Sequence, residues 1–357
     1  MYPQFPWGSD QSGIVRQPLP AVMPSLLVQR AVEMASVDVG QTPSTEVYAE
    51  NKIRLRRYDS LTDTQRDVPI VLVPAVINRP YILDLQPDRS VVRQFLSRGF
   101  DMFLVDWGEP SRLDTTLEFA DYVERYLANV VRVVRERTGA SGVHLLGYCT
   151  GGTLATLYAA LHPDAVQTLG LLAPVLAFDT DEGIFGLWRS DEHVHPETVS
   201  RTFGNVPGEL LAVEFAMQDP VEYLVARYLR LADHLDDVAH LKRAARRLRW
   251  GRETVDVPGR LYEQFLEELY QENKLMTGDF EIGGQSVDLD ELRMPILDII
   301  GADDQFVPAA ASRPFIDAVP SADTTVIEFP TGHVGLSISD RAHEELWPAV
   351  CDWYDER

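Results

Sequence analysis

The sequence predicts an α/β fold: a mostly parallel central sheet with helices on both faces, interrupted once by an inserted helix-rich cap. Three observations carry this. Short apolar runs alternate with helical periodicity from Pro69 to Ala173. A glycine-rich turn, Gly147-Tyr148-Cys149-Thr150-Gly151-Gly152, joins one such run to the next helix. The rhythm breaks from about Phe178 to Leu292 and resumes at Pro295-Ile296-Leu297-Asp298-Ile299-Ile300-Gly301. Strands that alternate with helices are buried on both faces of the sheet, so they read as continuous apolar runs.

The elements follow in order. Residues 1–45 form an N-terminal arm, rich in proline and aromatics up to about Pro24, with a short helix over Ser25 to Ser36. Residues 46–177 form the first part of the core. Alternation from Glu46 to Tyr58, broken at Glu50-Asn51, predicts an edge hairpin. A strand over Pro69 to Ala75 leads to a helix over Ser90 to Arg98, ended by Gly99. A strand over Met102 to Asp106 precedes a long helix from Leu117 to Arg137, whose apolar face is Phe119, Val123, Tyr126, Leu127, Val130 and Val134. The central strand from Val143, the helix after Cys149 and the strand Gln167 to Ala173 complete this part. Residues 178–292 form the cap, and residues 293–357 return to the core. That return brings a helix near Ala309 to Ala318, a strand Thr324 to Phe329 and a helix near Arg341 to Tyr354.

Composition narrows the partners. Thirty-two basic against 55 acidic residues give a formal charge of −23, which disfavours nucleic acid and anionic membranes. Only Lys52, Lys242 and Lys274 are lysines. That pattern fits either a salt-adapted cytoplasm or an arginine-rich genome, and the composition leaves the two level. Two distant cysteines, Cys149 and Cys351, imply no disulfide framework and fit a reducing, cytoplasmic compartment. No signal peptide and no membrane-spanning apolar run are read from the sequence.

The chemistry centres on Cys149. A Gly-x-nucleophile-x-Gly turn between strand and helix raises the nucleophile on a strained backbone, and side chains at Gly147 or Gly151 would strike the neighbouring strand and helix. The helix N-terminus beyond it favours a thiolate. Asp304, in Gly301-Ala302-Asp303-Asp304-Gln305-Phe306-Val307-Pro308, and His333, in Gly332-His333-Val334-Gly335, each follow a strand. The order nucleophile, acid, histidine is that of the α/β-hydrolase triad. Asp303 competes with Asp304, and a helix N-cap is the alternative role for the acid. For the oxyanion, the Thr150 N–H is one expected donor. Val76 and Ile77 are the candidates for the second, with Ile77 preferred. His193-x-His195 has the look of a metal pair, but nothing completes it and no metal site is assigned. The basic cluster Lys242, Arg243, Arg246, Arg247, Arg249 and Arg252 beside Trp250 is either a solvated or partner-binding face or a phosphate contact, with Arg246 and Arg247 the candidate substrate contacts.

Several stretches, weak singly, are specific together. These are Asn78-Arg79-Pro80-Tyr81 with Asp84-Leu85, Asp106-Trp107-Gly108, the Gly147–Gly152 turn, Gly204-Asn205-Val206-Pro207-Gly208-Glu209-Leu210-Leu211 and Gly283-Gly284-Gln285-Ser286-Val287-Asp288-Leu289. With the Asp304 and His333 segments, they make a chain that resembles the catalytic subunit of polyhydroxyalkanoate synthases, most closely the short two-component (class III) type. The resemblance implies polymerisation of (R)-3-hydroxyacyl-CoA, with 3-hydroxybutyryl-CoA and other short chains expected, and release of CoA. It implies Cys149 as the acyl carrier, His333 as its base, Asp304 as third member and Asn78 near substrate. CoA thioester is then substrate, and no cofactor is expected. A second, helix-rich (PhaE-like) subunit and a polyester granule surface in the cytoplasm are the implied partners, with a homodimer left open. The family often has histidine where this chain has Gln305. Whether Asp304 takes the second proton itself or orients His333 stays open. The alternative activity is that of a cysteine-dependent thioesterase or ester hydrolase, which shares the triad.

Overall fold

The computed structural model describes residues 23–180, 182, 185–189 and 194–357. The outer arm through residue 22 and His193 lie outside the described residues. The main sheet is built from β1 (Ser44–Glu50), β2 (Ile53–Tyr58), β3 (Ile70–Val73), β4 (Met102–Asp106), β5 (Val143–Tyr148), β6 (Val166–Leu172), β7 (Ile296–Gly301) and β8 (Thr324–Phe329). Their order across the sheet is β1-β2-β4-β3-β5-β6-β7-β8. β1 and β2 form an antiparallel hairpin at one edge, turning at Asn51 with φ +49°, and β2 runs antiparallel to β4. From β4 to β8 every pairing is parallel. The side chains of β3 and β5 are wholly buried, as expected of strands covered on both faces.

Local chemistry fixes the flanking helices. α1 (Met23–Ala35) opens the described chain. The Ser90 hydroxyl caps α2 (Val91–Leu96) by accepting from the Arg93 N–H at 3.0 Å. The long helix after β4 begins with a wide turn over Asp121–Leu127 and continues as α3 (Ala128–Thr138). Gly139, at φ +77°, ends it by donating its N–H to the Arg135 carbonyl. α4 (Thr150–Leu161) follows β5 and is buried along almost its whole length.

Between β6 and β7 the chain is mainly helical: α5 (Pro196–Phe203), α6 (Gly208–Ala216), α7 (Arg227–Asp233), α8 (Val238–Arg252) and α9 (Gly259–Gln264). Backbone bridges Asn78–Thr254 and Val206–Val257 tie this region to the loop after β3 and to itself. α1 packs on α8, and Arg30 donates to the Leu235 carbonyl at 2.8 Å. The helix expected from Ala309 to Ala318 is broken at Ser312, with a short turn before it and α10 (Arg313–Ala318) after it. The Ser312 hydroxyl is drawn to the buried Asp298 carboxylate at 2.6 Å, and Pro314 has no N–H to continue a helix from upstream. The last helix, α11 (Trp347–Asp355), packs Trp347 and Tyr354 edge-on against Phe95 of α2. Among the described residues no helix is long and apolar enough to cross a membrane.

Candidate active site

Cys149 sits between β5 and α4 at φ +56° and ψ −126°, a conformation that costs a non-glycine residue energy. The surroundings over-determine it. The Cys149 N–H donates to the Leu172 carbonyl at 2.9 Å, and the Gly152 N–H donates to the Cys149 carbonyl at 2.8 Å. A Cβ on Gly151 would collide with the Val73 and Pro74 carbonyls, and one on Gly147 would lie 2.7 Å from the Gly151 carbonyl. The turn therefore closes only with glycine at these positions. Cys149 is held over the first turn of α4, where the aligned peptide dipoles favour negative charge.

The loop after β7 carries Asp304 and the loop after β8 carries His333. Asp304 Oδ1 accepts from the Phe306 and Val307 N–H groups, each at 2.9 Å. Its Oδ2 meets His333 Nδ1 at 2.7 Å. Both residues are buried. With Nδ1 committed to Asp304, the other ring nitrogen is left for Cys149, which lines the same cavity and raises the pKa of the ring. The Tyr148 ring stacks on His333 at 5.0 Å and 24°, and Phe306 meets it edge-on at 5.8 Å. Burial works against charging this imidazole. The Asp304 carboxylate and Cys149 outweigh it and lift the ring to about 10. The expected Cys149, Asp304 and His333 thus come together, each from the end of its own strand. Asp303 is exposed, and its N–H is bound to the Thr331 carbonyl. His144 bonds Thr168 Oγ1 at 2.9 Å inside the core, and burial lowers it to about 4.

Thr150 opens α4, and its hydroxyl accepts from the Val76 N–H at 3.3 Å. That bond occupies the Val76 donor. Ile77 lines the same cavity as Cys149 and Thr150, and its N–H has no acceptor among the described residues. The cavity measures about 320 Å³ and is mostly apolar, with Trp188, Phe215, Tyr270 and Phe306 in its wall.

The expected substrate contacts divide. Asn78 lines the cavity while its backbone pairs with Thr254. Arg246 does not reach it. Its guanidinium donates to the Asp38 carbonyl at 2.7 Å and to Gln86 Oε1 at 3.0 Å, fastening α8 to the segment after α1. Arg247 is exposed and stands near Glu222 and Tyr223. The arginine in the cavity wall is Arg227, which sequence reasoning missed. It lies over the Tyr228 ring at 4.8 Å and the Tyr223 ring at 5.6 Å, and its buried Nε has no partner among the described residues. Arg227 Nη2 donates to the Tyr228 hydroxyl at 3.1 Å, and against the opposing effect of burial Arg252 and Arg227 hold that phenol below its ordinary range. The signal available in the sequence was the four-residue step from Tyr223 to Arg227, which puts both on one helix side. Gln305 is exposed on the Asp304 loop.

Comparison with known proteins bears on the family and the fold. Residues 68–338 match the family model of the α/β-hydrolase fold, and residues 22–95 match that of the poly-beta-hydroxybutyrate polymerase (PhaC) N-terminus. The chain is 52% identical over 328 residues to the poly(3-hydroxyalkanoate) polymerase subunit PhaC of Haloferax mediterranei, covering 92% of this chain and 67% of that one. It is 35% identical over 332 residues to the subunit of the same name from Allochromatium vinosum, covering 92% and 93%. Among solved structures, the monoacylglycerol lipase of Paleococcus ferrophilus aligns with a TM-score of 0.51 and 14% identity, over 85% of this chain and 98% of that one. That likeness speaks to the fold alone. With the sheet order, the elbow and these relatives together, the chain belongs to the poly(3-hydroxyalkanoate) polymerase subunit PhaC family, acyltransferases built on the α/β-hydrolase fold.

Proposed function

We propose that this chain polymerises (R)-3-hydroxyacyl-CoA thioesters, 3-hydroxybutyryl-CoA and other short chains among them, through a covalent acyl group on Cys149. The observation that carries this reading is the strained Cys149 under a histidine clamped by Asp304 at 2.7 Å. The Cys149 thiolate attacks the thioester carbonyl, and its negative charge passes to the carbonyl oxygen. The Thr150 and Ile77 N–H groups are the proposed donors to that oxyanion. Collapse breaks the carbon–sulfur bond to CoA, whose thiolate takes a proton from His333. The exchange of one thioester for another is nearly isoenergetic. The 3-hydroxyl of a second unit then attacks acyl-Cys149, gives its proton to His333 and forms an oxoester, which is downhill. Cys149 leaves as the thiolate, ready for the next acyl group.

Both Asp304 oxygens are already engaged, one by two backbone N–H groups and one by His333. This supports an orienting role, with His333 as the acid that protonates the departing CoA and then as the base that takes the 3-hydroxyl proton. The cap over the cavity is the proposed means of excluding water, which would otherwise hydrolyse the acyl-enzyme. A second, helix-rich subunit of the two-component type and association with a polyester granule in the cytoplasm belong to the same proposal. The test is rapid-quench incubation with labelled 3-hydroxybutyryl-CoA. Label bound to Cys149, CoA release and growing turbidity are expected, and all three vanish in Cys149→Ala. Release of CoA with free hydroxy acid and no polymer would instead identify a thioesterase.

A further inference from the structure

A cavity of about 320 Å³ is at the small end of single-ligand sites, which run roughly 300–1,000 Å³. A polymer outgrows it within a few units, so most of the product lies outside. One residue belongs to both places. Val213 of α6 lines the cavity, yet more than half of it is open to solvent. Beyond it, Met217, Val221, Val225 and Leu229 follow at four-residue steps through the α6–α7 connection. These five side chains are 50–67% exposed. α6 closes at Ala216, and the Asp219 side chain caps a second helical stretch by accepting from the Glu222 N–H at 2.9 Å, so what the five share is exposure along one continuous stretch of chain. The inner side of the same segment turns toward the chemistry. Phe215 and Tyr223 pack their rings on Phe306, which is edge-on to His333. This wall therefore has the catalytic histidine behind one face and a run of aliphatic side chains on the other. Scattered exposed apolar residues need no explanation. A row that starts in the cavity wall, on a chain of charge −23, calls for an apolar occupant.

We propose that this row is the surface along which the nascent polyester leaves the cavity, so that its occupant is the polymer product itself. The inference rests on the proposed function, since it needs a chain growing from Cys149. The product's chemistry matches. A poly(3-hydroxyalkanoate) strand is uncharged, has no N–H donors and carries alkyl branches, so it asks of the protein apolar contact area and little else. Met217, Val221, Val225 and Leu229 do not line the cavity, so they are separable from the catalytic step.

The test compares the full chain with a quadruple variant, Met217→Ser, Val221→Ser, Val225→Ser and Leu229→Ser. The single variants Val221→Ser and Val225→Ser carry the same test should the quadruple melt early. In a Cys149→Ala background, pelleting with amorphous poly(3-hydroxybutyrate) particles should fall by about fivefold or more. In the active protein with 3-hydroxybutyryl-CoA, the first CoA per Cys149 should appear at the parent rate while mean polymer mass falls severalfold. Equal pelleting and equal polymer mass would overturn the proposal. So would loss of a dimer by light scattering with polymer mass unchanged, which would make the row a contact between copies. Absence of any CoA release from the parent would count against the proposed function instead, and the pelleting measurement does not depend on turnover.

Discussion

His333 is held on three sides. Its ring is stacked on Tyr148, edged by Phe306 and tied through Nδ1 to Asp304, so its position and tautomer are set before substrate arrives. Asp304→Asn tests the tie. The amide can still accept from Phe306 and Val307, but a donor now faces Nδ1 and the wrong tautomer is favoured. In a serine-protease triad the equivalent change costs about 10⁴-fold in kcat. A loss on the order of 10³–10⁴ with unchanged melting temperature is expected here, and a loss under about tenfold would return the orienting role to question. The charge on the ring makes a second prediction. Burial opposes the charge and Asp304 and Cys149 restore it, giving about 10 against an ordinary 6.5. Because the folded value is the higher, this group's contribution to stability is complete below about 6.5 and is lost as pH rises through about 10. His144 and His343 go the other way, to about 4, chiefly by burial, and their contribution is lost as pH falls from about 6.5 toward 4. At pH 8, imidazole NMR should therefore find His333 protonated and His144 and His343 neutral. A neutral His333 at that pH would remove the ion-pair description of the resting site.

Elements were legible where burial leaves a mark on the chain. β3, β5 and β7 are apolar runs because helices cover both their faces, and Gly99 and Gly139 end helices by taking φ +85° and +77°. The candidate triad was legible because each member lies just past a strand. The cap was not, because its helices show several partly buried faces and periodicity cannot say which neighbour each face meets. α8 makes the point. Its arginines look alike in sequence, yet Arg246 and Arg249 donate to the Asp38 and Val37 carbonyls, whereas Arg252 joins Arg227 at Tyr228 and Arg247 stands near Tyr223. Nothing local distinguishes them; only the place where the segment after α1 docks does so. The break at Ser312 was equally hidden, since it depends on Asp298, fourteen residues away. This division predicts different phenotypes for arginines that look alike in sequence. CoA carries phosphates, and a charge-assisted hydrogen bond is worth about 1.5–3 kcal/mol. Arg227→Ala with Arg252→Ala should raise KM for 3-hydroxybutyryl-CoA by about tenfold or more with kcat nearly kept. Arg246→Ala should leave KM alone and lower the melting temperature. Equal KM effects from both would mean that the phosphates do not choose between them.

The whole molecule sets these local cations against a strong background. Thirty-two basic residues face 55 acidic ones, and the excess of 23 negative charges cannot find partners within the chain. Two opposed effects of salt follow. Screening weakens the ion pairs, but most of these involve at least one substantially exposed side chain, such as Arg132–Glu136 and Arg341–Glu345, and such pairs are worth about 0–1 kcal/mol each. Screening also relieves repulsion among the unpaired carboxylates, which destabilises the compact state. The second effect should win, because the pairs are short-range while the repulsion is summed over the surface. The Debye length falls from about 10 Å at 0.1 M to about 3 Å at 1 M, so the repulsion fades over that range. Raising KCl from 0.1 to 1 M should thus raise the melting temperature by at least a few degrees, at about 2–4 °C per kcal/mol for large domains. Matched sucrose solutions separate this from general exclusion of solute. With the CoA phosphates on Arg227 and Arg252, as the KM prediction supposes, the same salt should raise KM, so stability and KM should rise together. A melting temperature that is flat or falling in KCl would show that the surface pairs, not the acidic excess, govern stability.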